Sequence, residues 1–102
     1  MKRKALEGGG WFDYDSSKEF SESTHWNGNN HISDVTGSQW NHEELSRTRK
    51  GRWVLHSWSQ WQGSEETWVE ISGDEAAKWL LACRHGEVAQ KYFPKVVDEL
   101  EV

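Results

Sequence analysis

Five histidines, one cysteine and eight tryptophans are the residues of this chain with the widest chemical reach. His25, His31, His42, His56 and His85 are spread evenly, with neither an H-x3-H nor an HExxH spacing to set two imidazoles around zinc. His31 and His42 flank one expected turn, and His25 closes the strand before it, so three loop imidazoles could meet there. A scattered polar histidine more often acts as a single donor, and no metal is assigned. Cys83 falls on the apolar stripe of an expected helix, where a thiol behaves as a small hydrophobe. No serine sits in G-x-S-x-G, phosphate loops and dinucleotide fingerprints are absent, and adjacent Glu65 and Glu66 point to opposite sides of a strand. The residues therefore offer no catalytic set, and a non-enzymatic chain without a cofactor is expected.

Recognition is the chemistry that remains. The stretch W-S-Q-W-Q-G-S, residues 58–64, sets two indoles among small and amide-bearing side chains. The hydrophobic fraction is only 34%, so aromatic rings must fill much of the interior. A buried indole removes roughly 150–250 Å² from water, worth about 4–6 kcal/mol before entropy is subtracted. Eight are more than one small core is expected to enclose, so two to four should be partly exposed. On a strand, Trp58 and Trp61 lie on opposite faces. One is expected under a helix against Trp79 and Leu80, and the other on an open face with Trp68 or Trp53.

Surface candidates are thus Trp53, Trp58, Trp61, Trp68, Arg47, Arg52 and Gln60. Exposed Trp and Arg dominate interface energetics, so a protein partner or self-association through a Trp-rich sheet face is the leading expectation. The alternative is single-stranded nucleic acid at the 47–53 hairpin, where Arg47, Arg49, Lys50 and Arg52 surround Trp53. Indoles beside Asn27, Asn29, Asn30, Gln39, Gln60 and Gln62 would also suit a sugar.

These side chains need a frame. Residues 1–17 contain E-G-G-G-W-F-D-Y-D-S-S without periodicity and read as a flexible lead-in, with Trp11, Phe12 and Tyr14 available to fold back. Residues 18–102 read as one α+β domain. K-E-F-S-E-S-T-H-W is a half-polar strand, N-G-N-N a turn, H-I-S-D-V a short return, and T-G-S-Q-W-N-H-E a second turn region. E-L-S-R-T-R-K-G-R-W-V-L-H is the clearest hairpin. A three-residue loop at Arg49-Lys50-Gly51, with Gly51 left-handed, pairs Leu45 with Leu55 and Arg47 with Trp53, and lets Arg47 cross that indole. R-W-V-L-H-S-W-S-Q-W carries large groups on both faces and should be a central strand covered on each side. Q-G-S-E-E turns the chain and T-W-V-E-I-S returns.

Ser72 and Glu75 form a capping box, and Ala76, Trp79, Leu80 and Cys83 recur at helical spacing, with Gly86 as the C-cap. E-V-A-Q-K-Y-F reads as a short helix broken by Pro94, and the remainder as a last helical turn. The expected architecture is an antiparallel meander of four or five strands followed by a C-terminal helix on one face.

Length allows one core-bearing domain, and a net charge of −5 disfavours non-specific attraction to duplex DNA or anionic membrane. No apolar run reaches a membrane span, and A-L-E-G-G-G follows the basic Met1–Lys4 where a signal peptide would be apolar. A single cysteine excludes an internal disulfide, so a cytoplasmic chain is expected. Residues 36–81, with T-G-S-Q-W, K-G-R-W-V-L-H, W-S-Q-W-Q-G-S and E-A-A-K-W-L in that order, resemble a family of small bacterial proteins. The resemblance implies a bacterial source and a compact stand-alone domain, and carries no activity, cofactor or catalytic residue.

Overall fold

The structure, a computed structural model, describes residues 1–61, 63 and 65–102. Its centre is a four-stranded antiparallel sheet in the order β3 (Lys18–Ser21), β6 (Asn41–Arg47), β7 (Trp53–Ser59), β8 (Thr67–Ile71). Two small hairpins flank it, β1 (Arg3–Ala5) with β2 (Trp11–Asp13), and β4 (Thr24–Trp26) with β5 (His31–Ser33). Three helices follow: α1 (Gly73–Ala82), α2 (Gly86–Tyr92) and α3 (Pro94–Leu100). This is an α+β fold. The half-polar stretch from Lys18 to Trp26 divides into β3 and β4, so Phe20 is buried while Trp26 is exposed.

The β6–β7 ladder has the register its side-chain alternation requires, Leu45 opposite Leu55 and Arg47 opposite Trp53. Thr48 closes the loop by donating its N–H to the Arg52 carbonyl and accepting the Arg52 N–H at its hydroxyl. Gly51 takes φ +80°, a conformation that costs an L-residue about 1–2 kcal/mol. The expected turn over 62–66 falls partly on Gln62 and Ser64, which lie outside the described residues.

Helix α1 starts as its capping residues dictate. Ser72 Oγ accepts the Glu75 N–H at 3.2 Å, and Ala76, Trp79, Leu80 and Cys83 are all buried. Its end differs from expectation. Arg84, not Gly86, adopts the left-handed conformation (φ 63°), with His85 N–H donating to the Leu80 carbonyl and Arg84 N–H to Leu81. These are the two bonds of a Schellman end. Gly86 instead opens α2, and Pro94 opens α3, where its missing N–H costs nothing.

Both faces of β7 are covered. On one, Phe20, Leu45 and Trp53 pack under the helices with Trp79 and Leu80. On the other, Val54 and Trp68 pack beneath Phe12, with Leu6 and Tyr14 at the rim. Residues 1–17, read from sequence as a lead-in, thus form a hairpin and a short 3-10 turn (Tyr14–Ser16) lying on the sheet. The hairpin is tied down where Glu7 N–H donates to the Trp68 carbonyl at 2.9 Å. No helix among the described residues is long and apolar enough to cross a membrane.

Candidate functional site

The fold distributes the candidate residues unevenly. Trp53 is an interior residue. It stacks on Phe20 (ring centroids 6.0 Å apart) and meets Tyr92 and Phe93 at 5.5 and 5.2 Å. Its register opposite Arg47 and Ile71 places it on the helix face, so the indole beneath the helices is Trp53 and neither Trp58 nor Trp61. Arg47 does not cross Trp53; its guanidinium lies over Tyr92 at 4.6 Å. Trp68 is buried too, because the β1–β2 hairpin presses Phe12 (5.7 Å) and Tyr14 (5.6 Å) against it. The surface roles expected of Trp53 and Trp68 are therefore corrected: both rings fill cores. Arg52 is exposed and ion-paired with Glu70.

Trp58 is half-buried on the face shared with Trp68, in a row of rings that runs along the sheet. His42 lies 5.7 Å from Trp58, and His56 lies 4.7 Å from Trp58 and 3.6 Å from Trp68, nearly parallel to the latter. The histidines find separate partners. His42 Nδ1 is 2.5 Å from Glu22, His25 Nδ1 is 2.6 Å from Asp34, and His56 Nε2 is 3.0 Å from Glu66. Among the described residues no three His, Cys, Asp or Glu side chains are grouped to hold a metal ion. Hydrogen bonds from Ser23 and His25 hold the Asp34 carboxyl below its ordinary range, and burial pushes the Cys83 thiol up to about 11. A thiol that stays protonated is a poor nucleophile.

Trp61 is the candidate that remains exposed, and it is not alone. Its ring lies 5.0 Å from that of Trp40, tilted by 42°, and the two rings are 60% and 39% exposed. The pair sits just beyond the last rung of the β6–β7 ladder, Asn41 opposite Ser59. Gln60, also exposed, donates its N–H to the Trp40 carbonyl at 3.0 Å and so carries the ladder one step further. Serines brace both backbones: Ser38 Oγ accepts the Trp40 N–H at 3.0 Å, and Ser59 Oγ accepts the Trp61 N–H at 3.2 Å. Next to the pair, a groove of about 460 Å³ is lined by Asn41, Glu43, Ser57, Ser59, Glu65 and Thr67, among others. The site is an exposed pair of contacting indoles beside a groove of mixed character, in which Trp58 and His42 stand with the carboxylates of Glu43 and Glu65.

Trp40 is the residue that sequence reasoning missed. A signal was present, since extending the Leu45–Leu55 register beyond Asn41–Ser59 sets Trp40 opposite Gln60 and beside Trp61. Comparison with protein-family models, with curated proteins and with solved structures finds no match to this chain.

Proposed function

We propose that this chain is a non-enzymatic recognition module that seats a protein segment against the exposed outer surface of the Trp40–Trp61 pair. The observation that carries this reading is the exposed indole pair, held 5.0 Å apart at the end of a paired ladder with both backbones braced by serine hydroxyls. Rings that already pack on one another, on backbones already braced, have less freedom left to lose on binding, so more of their contact area counts toward affinity. The rings touch and are tilted by 42°, so together they offer one bent apolar surface, which fits an apolar side chain laid against it better than the flat face of a sugar ring. Glu65, exposed in the neighbouring groove, and Glu43, whose carboxylate already accepts the Trp79 indole N–H, favour a partner that brings positive charge.

The test is capture from a bacterial lysate, at low and high salt, with wild type and with the Trp40→Ala, Trp61→Ala double variant. Both rings are exposed, so the variant should keep its circular dichroism. Loss of an anchoring indole costs about 2 kcal/mol or more, roughly thirtyfold in affinity. The double variant should therefore lose proteins that the wild type retains at both salt levels. Sedimentation of the two forms reads self-association in the same way. Retention of the same partners and the same oligomeric state by both forms would refute the reading.

A further inference from the structure

A second site lies at the opposite end of the β6–β7 hairpin and does not involve Trp40 or Trp61. The β1–β2 turn and the β6–β7 turn come side by side there and enclose a cleft of about 320 Å³. One wall is Trp11, 48% exposed, with Leu6 and the glycines of the first turn. The other wall is Arg49, Lys50 and Arg52. Gly8, Gly9 and Gly10 all have positive φ, and the lack of side chains there leaves the first turn open to a ligand.

The charge in this cleft is opposite to that of the whole chain. Among the described residues neither Arg49 nor Lys50 has an ion-pair partner, while Arg52 is shared with Glu70. Arg3 lies over one face of Trp11 at 4.8 Å, adding positive charge to the same wall. The cleft's other carboxylate, Asp13, is already occupied by the Ser16 hydroxyl and by the N–H groups of Lys2 and Asp15. The molecule as a whole has net charge −5, so attraction for an anionic ligand, free or part of a strand, is concentrated at this cleft.

From this juxtaposition we infer that the cleft binds a nucleobase carrying a phosphate, with the base stacked on Trp11 and the phosphate held by Arg49 and Lys50. Stacking on an indole tolerates every base because each has a π-face, and nearby cations take the backbone charge. A nucleotide's phosphate is carried out of the base plane by the sugar, so it can reach the facing wall. The ester oxygen of a phosphotyrosine lies in its ring plane, so its phosphate stays close to the edge of the stacked ring and reaches less far toward Arg49 and Lys50 on the facing wall. The volume is at the lower end for small-ligand sites and admits about one nucleotide. A free nucleotide and one residue of a single strand share this chemistry. The nucleic-acid expectation for the 47–53 hairpin thus gains a different stacking ring, since Trp53 is interior and Trp11 is supplied by the other hairpin.

Calorimetric titration of the full chain tests the inference with adenosine 5′-monophosphate, adenosine, inorganic phosphate, a thymidylate octamer and phosphotyrosine. The monophosphate, the octamer or both should bind, with adenosine and phosphate alone weaker by about tenfold or more. Tighter binding of the octamer, falling with salt, assigns the strand as source; monophosphate alone assigns the free nucleotide. Trp11→Ala and Arg49→Ala/Lys50→Ala should each weaken binding by about tenfold, and Trp26→Ala should leave it unchanged. Failure of both nucleotide ligands, undiminished binding by the cleft variants, or tighter binding of phosphotyrosine would overturn the inference.

Discussion

Tyr14 has its phenol between a closing hairpin and the carboxylate of Glu44, 3.2 Å from its hydroxyl. Burial, followed by the charges of Glu44 and Glu19, raises its pKa from 10.0 to about 12. A raised phenol favours the protonated fold. The stability it contributes is complete below pH 10.0 and is lost as pH climbs through about 12. An ultraviolet titration should show one late tyrosinate step near pH 12 that disappears in Tyr14→Phe, and that variant should lose less stability between pH 10 and 12 than wild type. Absence of that late step would show that the hairpin does not enclose this residue. At this scale the sequence was informative about side-chain parity and not about depth. Trp53 and Trp58 were legible as residues on opposite faces of one strand. Which face the helices would cover depends on Phe20, Tyr92 and Phe93, residues far away in the chain.

Whole elements were legible where their signals are local. The β6–β7 register follows from alternating Leu45, Arg47, Trp53 and Leu55 and from a glycine that can turn left-handed. The start of α1 follows from Ser72 and Glu75. The β1–β2 hairpin was not legible, because three-residue strands carry too little pattern, and what stabilises them is contact with Trp68 more than fifty residues later. That contact sets an energy. Phe12 is 5% exposed, and Phe12→Ala should cost about 3–5 kcal/mol in urea unfolding, as large-to-small changes at buried aromatic positions do. A loss well under 1 kcal/mol would mean that the hairpin contributes nothing to the second core.

The molecule as a whole is a slab, with Cα extents of 40 × 38 × 21 Å. A sheet with one layer on each face, at about 10 Å spacing, has this thickness. Such a slab has two thin cores, and neither is deep enough to enclose eight indoles. Trp53, Trp68 and Trp79 are buried, Trp58 is half-buried, and Trp11, Trp26, Trp40 and Trp61 are exposed. Ionic quenchers should separate the exposed set by local charge. Iodide should reach Trp11, beside Arg3, Arg49 and Lys50, and its quenching should fall in Trp11→Ala. Caesium should favour Trp61, which follows the strand end (Ser59) that borders the groove lined by Glu43 and Glu65, and its quenching should fall in Trp61→Ala. Equal response of both variants to both ions would dissolve the distinction between a cationic and an acidic end.

The outer strands of the central sheet each have a carbonyl already engaged. His85 Nε2 donates to Ser21 on β3 at 2.8 Å, and Glu7 N–H donates to Trp68 on β8. A free strand margin is an open template on which copies of a chain can add rung by rung into fibres. At these two points the template is already occupied from within, so growth of that kind must first displace an internal donor. Each margin thus carries a built-in obstacle of one bond to rung-by-rung addition, set by a residue remote from the strand that it guards.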